Sequence, residues 1–264
     1  MNTWDEAHAL EWRRSFGPPA RPTAGEFKIY KRELGRLGKT SKVLLLGSTP
    51  EIRDIASELK LELAVIDFNE KNYKESQALM KSDPKTETFV KKNWLEMDFK
   101  AEFDFVICDN ILSVLAPTEA KKVIDNVCNA LKPSGRWVTR VMLYNLGEDF
   151  TSPDTLNGRI SKCATKREIY ERLYVPLLAY YKNEIGAVIG SETYKKIKRD
   201  SEKGLFPPVC IEIFHALSYY EEENYLVQRD DFEQYMSDKF AIVRAIDDTE
   251  PFSGNWVIYV LGKK

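Results

Sequence analysis

The chain has 264 residues, which suffices for one large α/β domain or for a domain with a sizeable insertion. Its net charge of −2 argues against a general attraction to nucleic acid or to anionic membranes. We find neither an apolar run of the roughly 18–20 residues that a membrane helix needs nor the apolar core of a signal peptide. The cysteines are widely spaced and the histidines are only His8 and His215, so we expect reduced thiols, no metal site and a cytoplasmic protein.

Two helices are predicted before the first strand. The first covers Trp4–Ser15 and is ended by the glycine- and proline-rich segment 17–22. The second covers Glu26–Leu37, where apolar side chains recur on one face. We therefore expect residues 1–38 to form a helical cap.

The loop after the first predicted strand is the most informative segment. A buried apolar strand runs directly into Gly47, which would let a ligand approach the backbone. Thr49 can cap the next helix, Pro50 suits its first position, and Glu51 suits its positive end. The backbone N–H groups and hydroxyls of Ser48 and Thr49 could then bind an anionic group, although capping alone would also explain these residues.

An acidic residue ends the second predicted strand, Glu62–Asp67, about twenty residues after the glycine. Acids are rare at the end of an apolar strand unless they have a partner. The spacing favours Asp67 as the ligand of a ribose, with a surface acid as the alternative. In the first interpretation Phe68 packs on the adenine face.

Strands and helices continue to alternate along the next part of the chain. A strict alternation predicts a parallel sheet with right-handed crossovers. Asp109 and Asn110 would then lie at the carboxyl edge of the sheet, where ligands of such folds bind. The predicted elements are a helix at 70–80, a strand at 88–90, a strand at 103–109, a helix at 117–131 and a strand at 136–143.

The pattern changes at Tyr144, and as far as Gln228 the sequence is helical, rich in aromatic residues and without a clear strand. We expect residues 146–228 to form a helical lid over a substrate. A helix then covers 230–237, and two strands at 240–246 and 256–261 follow, joined by a loop. Two strands joined without a helix must pair in antiparallel fashion.

These elements resemble the class I S-adenosylmethionine-dependent methyltransferases. The similarity covers about 39–143 and 230–264, and the Leu-Gly-Ser-Thr-Pro-Glu loop is similar to that of one bacterial branch of the family. The resemblance implies an α/β fold: a Rossmann-like, seven-stranded, mostly parallel sheet with an antiparallel C-terminal strand, plus N-terminal helices and a helical insertion. It places the core at 39–145 and 229–264. The motifs that carry it are Val43–Gly47, Asp67, Asn93-Trp94, Phe103–Asp109 and Leu131–Arg136.

The resemblance also implies S-adenosylmethionine as the cofactor. Asn93 and Trp94 would contact its adenine, although a core tryptophan is the alternative. The usual acid two residues before the first glycine is replaced by Leu45, so Glu51 or a residue of the N-terminal helices could hold the amino acid end instead. The full set of implied cofactor ligands is Gly47, Ser48, Thr49, Asp67, Phe68, Asn93, Trp94, Asp109 and Asn110.

The acceptor of the methyl group is less defined by the sequence. Arg140 and Tyr144 could meet a substrate at the end of the fifth strand. His215 could act as a base, although a lone histidine in an aromatic helical stretch is more often a packed one. We assign no catalytic residue. The aromatic insertion favours a small or medium-sized, partly apolar acceptor, and the oligomeric state stays open.

Three other functions fit the sequence less well. A catalytically silent binding protein is an alternative because the glycine loop is degenerate. An RNA methyltransferase would need a basic stripe that the sequence lacks. A nicotinamide-dependent oxidoreductase would need a Gly-x-Gly-x-x-Gly loop.

Overall fold

The computed structural model describes residues 21–83, 86–145, 152–247 and 255–264. The helix predicted at Trp4–Ser15 lies outside these residues. The strands, in chain order, are β1 Lys42–Leu46, β2 Glu62–Asp67, β3 Glu87–Lys91, β4 Phe103–Asp109, β5 Leu131–Tyr144, β6 Ala187–Ile189, β7 Glu223–Tyr225, β8 Val227–Gln228, β9 Phe240–Asp247 and β10 Trp256–Lys263. The helices are α1 Ala24–Leu34, α2 Pro50–Leu59, α3 Glu70–Gln77, α4 Pro117–Ala130, α5 Pro153–Ile160, α6 Lys166–Tyr181, α7 Gly190–Glu202, α8 Val209–Ile213 and α9 Arg229–Ser237. Short 3₁₀ turns cover Trp94–Glu96, Ile111–Val114 and His215–Tyr219.

One sheet forms the centre of the molecule, with the strand order β3-β2-β1-β4-β5-β10-β9. Strands β1 to β5 pair in parallel, and β10 pairs in antiparallel fashion with both β5 and β9. The predicted Rossmann-like sheet with its antiparallel C-terminal strand is therefore confirmed. The short strand β8 adds to it by pairing with the end of β5.

Strand β1 lies in the interior of the sheet, between β2 and β4, and both of its faces are buried. Leu44 and Leu46 pack into the core on one face, whereas Val43 and Leu45 pack into the core on the other face. All four side chains are inaccessible to solvent. Burial of each such side chain contributes about 1.5–3 kcal/mol, so this strand anchors the loop that follows it.

Helix α1 packs on the side of the sheet that holds Leu45. Thr23 and Glu26 form a reciprocal capping box at its start, and Tyr30 and Leu34 are fully buried beneath it. The helix ends at Leu34, three residues before the predicted end, because a glycine follows and the chain turns there. Helix α1 is thereby fixed close to the carboxyl edge of the sheet.

The insertion between β5 and α9 has its own apolar core and is not purely helical. Strands β6 and β7 pair in antiparallel fashion, so the expectation of no strand between Tyr144 and Gln228 was wrong. These strands are only three residues long and lie far apart in sequence, so no periodic pattern marks them. Within the described ranges, no helix is both long enough and apolar enough to cross a membrane.

Candidate functional site

A cavity of about 650 Å³ opens at the carboxyl edge of the sheet, beside the ends of β1 and β4. The strand order reverses between these two strands, which is where ligands of open α/β sheets bind. Eight of the predicted cofactor ligands line it: Gly47, Ser48, Thr49, Asp67, Phe68, Trp94, Asp109 and Asn110. The described lining is completed by Arg21, Pro22, Pro50, Glu51, Asn72, Ser76, Leu79, Ile111, Val114 and 221–224.

Gly47 forms part of the cavity wall at the end of β1. Its φ of +84° lies in the left-handed region, which other residues rarely adopt. A Cβ at this position would lie 3.7 Å from the Trp94 ring and 3.8 Å from the Ile111 side chain. The missing side chain therefore leaves space between these two residues for a ligand.

Thr49 and Pro50 begin helix α2 beside this space. Proline occupies the first turn, as predicted, and Thr49 stands at the N-cap. The Thr49 side chain makes no capping hydrogen bond, so the capping role expected for it was wrong. The first N–H groups of α2 therefore have no side-chain cap from Thr49 and lie beside the cavity.

Asp67 ends β2 and is mostly buried. Its carboxylate accepts hydrogen bonds from the Ser48 hydroxyl at 2.9 Å and from the Asn69 N–H at 3.0 Å. Burial raises the pKa of Asp67, although these hydrogen bonds act in the opposite direction. Its two oxygens retain acceptor positions for hydroxyl groups in the cavity.

Asn93 and Trp94 have different roles in the structure, because only Trp94 lines the cavity. The Trp94 indole N–H donates to the Ile66 carbonyl oxygen at 3.0 Å, which fixes its ring beside the cavity. The Asn93 side chain accepts from the Leu95 N–H at 3.0 Å and caps the short turn that follows. Asn93 is not among the described residues that line the cavity.

Asp109 belongs to a buried network of charged groups. Arg140 donates to both of its oxygens, at 2.6 Å from Nε and 3.1 Å from a terminal nitrogen. Tyr30 donates to Asp109 Oδ1 at 2.9 Å, and Glu26 lies 3.2 Å from Arg140 on the other side. Burial would lower the pKa of Arg140, but the charges of Asp109 and Glu26 raise it, so the guanidinium stays charged. The same burial and the Asp109 charge raise the pKa of Tyr30, so its hydroxyl stays neutral.

Residues 46–135 match a family model described as a methyltransferase domain. This segment begins at the last residue of β1 and contains the Gly47 loop, β2 to β4 and Asp109, so it includes most of the described cavity wall. Over this segment the chain is therefore similar to methyltransferase domains. None of the curated proteins compared with the sequence matches it.

Solved structures share the fold of this chain over nearly its whole length. An N1-methyltransferase of 1,6-didemethyltoxoflavin from Burkholderia thailandensis, with bound S-adenosylhomocysteine, is 12% identical with a TM-score of 0.55, covering 98% of this chain and 87% of its own. Magnesium protoporphyrin IX methyltransferase from Synechocystis, also with bound S-adenosylhomocysteine, is 16% identical with a TM-score of 0.54. The alignment covers 97% of this chain and 94% of that protein.

A protein from Rhodobacter sphaeroides named as a putative zinc-dependent alcohol dehydrogenase is similar too. It is 15% identical with a TM-score of 0.59, and the alignment covers 98% of both chains. At such identity the similarity concerns the fold alone. In the described part of the chain, no group of three or more His, Cys, Asp or Glu side chains could hold a metal ion.

The residues around Gly47 fit S-adenosylmethionine. The space that a Cβ would fill lets a ligand lie against the backbone, and Asp67 offers carboxylate oxygens for ribose hydroxyls. The cavity also has the size of a small-molecule site. Leu45 occupies the position two residues before Gly47, where the resemblance leads one to expect an acid. Its side chain lies in the core and cannot reach the cavity.

The three candidate substrate residues lie outside the cavity wall. Arg140 is only 1% exposed and is bound to Asp109 and Glu26, so it does not itself contact a substrate in the cavity. Tyr144 lies under the Lys182 ammonium, and His215 is exposed between the rings of Tyr194 and Tyr219. None of the three is among the described lining residues.

Sequence reasoning missed several residues of the site. Arg21 donates to Glu51 Oε1 at 2.7 Å beside the loop, and the segment 221–224 of the insertion forms the opposite wall. Nothing in the local pattern marks Arg21, because its partner lies 30 residues away. The run of three glutamates at 221–223 was the available signal for the second wall.

Proposed function

We propose that the protein transfers a methyl group from S-adenosylmethionine to a small or medium-sized, partly apolar acceptor. The observation that carries this proposal is a single cavity with two kinds of wall. One wall is the Gly47 loop with Asp67, and the other is the turn Ile111–Val114 with residues 221–224 of the insertion. The first wall suits the cofactor, and the second is available to the acceptor.

The acceptor wall combines apolar and acidic groups. Ile111 and Val114 belong to the turn after β4, which packs against β7 of the insertion. Glu221, Glu222 and Asn224 add polar groups on the other side. We propose that residues 152–228 act as a lid whose strand β7 covers an acceptor with an apolar body and a polar or basic substituent.

Catalysis in this proposal depends on positioning. When bound, S-adenosylmethionine supplies a methyl group that its positively charged sulfur has already activated for transfer. Asp67 orients the ribose, and the Gly47 backbone allows close approach. Alignment of the nucleophile in line with the methyl group can then supply roughly 7–11 kcal/mol of barrier reduction. The lid excludes water from the same space.

Isothermal titration of the protein with S-adenosylhomocysteine tests the cofactor site. We expect binding that Asp67→Ala weakens by more than about tenfold, because the ribose hydroxyls lose a charged acceptor. Asp104→Ala is the matched control, since Asp104 starts β4 at the opposite edge of the sheet and pairs with Lys132. Absence of binding at millimolar ligand, or equal affinity of the Asp67 variant and the wild type, would contradict the proposal.

A transfer assay tests the acceptor wall. The protein is incubated with methyl-labelled S-adenosylmethionine and a panel of aromatic and heterocyclic acceptors, and products are detected by label and by mass. Val114→Trp should block transfer while S-adenosylhomocysteine still binds, because the larger side chain fills the acceptor half. Val243→Trp, at a similarly exposed valine on β9, should change neither. Cofactor binding without transfer to any acceptor would favour the catalytically silent alternative.

A further inference from the structure

Asn110 has an unusual backbone conformation at the carboxyl end of β4. Its φ of +54° lies in the left-handed region, which asparagine adopts more readily than most residues but still at a cost. Its N–H donates to the Arg140 carbonyl oxygen at 3.0 Å, and its own carbonyl oxygen accepts from the Ser113 hydroxyl at 2.9 Å. The surrounding structure therefore fixes this residue in the cavity wall, which it helps to form.

The orientation of the Asn110 side-chain amide is fixed as well. Its Oδ1 accepts a hydrogen bond from the Met142 N–H on β5 at 3.2 Å. A backbone N–H can only donate, so the oxygen must be the end of the amide that faces Met142. Among the described residues Nδ2 has no partner, and this atom remains accessible to solvent. The cavity wall thus includes a hydrogen-bond donor of known orientation that is available to a ligand.

This donor lies on the side of the cavity that is available to the acceptor. The strand order is β2-β1-β4-β5, so the Gly47 loop and Asp67 lie on one side of β4 and Met142 lies on the other. The hydrogen bond to Met142 directs the Asn110 amide toward β5, away from the wall that suits the cofactor. The turn Ile111–Val114 of the second wall follows Asn110 directly. The geometry thus separates Asn110 from the cofactor ligands among which the resemblance places it.

We propose that Asn110 is a specificity-determining residue that donates through Nδ2 to a lone pair of the methyl acceptor. The partner is a carbonyl oxygen or an unprotonated ring nitrogen, because an amide nitrogen can only donate. A protonated amine at the same place would bring two donors face to face, and the site would reject it. The inference rests on the proposed function, and it narrows the acceptor to a heteroaromatic or carbonyl-bearing compound.

Shape-matched probes test this assignment by titration calorimetry on the protein saturated with S-adenosylhomocysteine. The probes 5-hydroxyquinoline and 6-hydroxyquinoline carry a ring nitrogen, whereas 1-naphthol and 2-naphthol have a C–H group in its place. We expect the wild type to bind at least one hydroxyquinoline about three- to tenfold more tightly than the naphthol of the same shape, because one hydrogen bond is gained. Asn110→Asp keeps an acceptor for the Met142 N–H but replaces the donor with a carboxylate oxygen, so it should abolish this preference.

A second variant and a matched control complete the test. Asn110→Gly adds no charge and adopts the same φ without strain, and it should lose the preference while its affinity for S-adenosylhomocysteine stays within about twofold of the wild type. The control is Asn183→Asp, because Asn183 Oδ1 also accepts from backbone N–H groups, those of Ile185 and Ala187. Asn183 is exposed and is not among the described residues that line the cavity, so this variant should keep the preference.

The outcomes separate this assignment from the proposed function. A preference that persists in either Asn110 variant that folds would overturn the assignment, as would a lower melting temperature with all probes weakened alike. If neither variant folds, the wild type decides. Equal affinity of the wild type for hydroxyquinolines and naphthols, or no binding of any probe at millimolar concentration, would also overturn it. Absence of S-adenosylhomocysteine binding to the wild type would instead refute the proposed function.

Discussion

Replacement of Gly47 by alanine separates the role of this residue in folding from its role in binding. A non-glycine residue at a φ of +84° costs about 1–2 kcal/mol of stability. The new Cβ would lie at 3.7 Å from Trp94 and 3.8 Å from Ile111, which are ordinary contact distances, so no clash adds to this strain. For a chain of this length, each 1 kcal/mol corresponds to roughly 2–4 °C in melting temperature.

The effect on binding should be larger than the strain alone predicts. The methyl group would occupy the space against the backbone where the cofactor is expected to lie. Overpacking of this kind costs about 1–3 kcal/mol, which is roughly a five- to hundredfold increase in the dissociation constant. Titration with S-adenosylhomocysteine measures the affinity, and thermal melting without ligand measures the stability.

Gly204→Ala is the control for backbone strain. Gly204 has a φ of +78°, and a Cβ there would meet nothing within 4 Å. This variant should lose about the same stability, roughly 1–2 kcal/mol, and retain wild-type affinity. The reasoning is refuted if Gly47→Ala binds like the wild type, or if both variants lose affinity to the same extent.

Three further substitutions test other parts of the structure. Because burial raises the pKa of Asp67, the unfolded chain ionises first and the native state loses stability as pH rises through that raised pKa. Asp67→Asn should therefore gain stability relative to the wild type between pH 3.8 and neutrality, as measured by denaturant unfolding without ligand. Leu45→Glu should lose about 3–5 kcal/mol in the same assay without any gain in cofactor affinity, because it buries an unpaired carboxylate in the core. Gly186→Ala should lose about 2–4 kcal/mol, more than Gly47→Ala, since its Cβ would lie 2.4 Å from the Leu226 carbonyl oxygen. A melting temperature within 2 °C of the wild type for Gly186→Ala would contradict this packing, given roughly 2–4 °C per kcal/mol.

The sequence by itself determined the sheet and the half of the cavity wall that the Gly47 loop and the strand ends form. Apolar strands alternate with capped helices, and the strand ends in a parallel sheet meet at one edge, so the residue pattern alone places Gly47, Asp67 and Asp109 together. Each of these patterns is local, because a strand, a turn glycine and a helix cap can each be recognised from a few consecutive residues. The antiparallel tail followed from the absence of a helix between β9 and β10.

Only the tertiary structure decided which groups surround Asp109. Arg140 looked like a substrate residue because it ends a strand, yet its side chain turns inward to pair with Asp109 and Glu26. Tyr30 comes from a helix 79 residues away in sequence, and a buried charge finds its partners by desolvation and geometry rather than by spacing. The second wall at 221–224 likewise depends on how the insertion folds back, through strands too short to leave a periodic pattern.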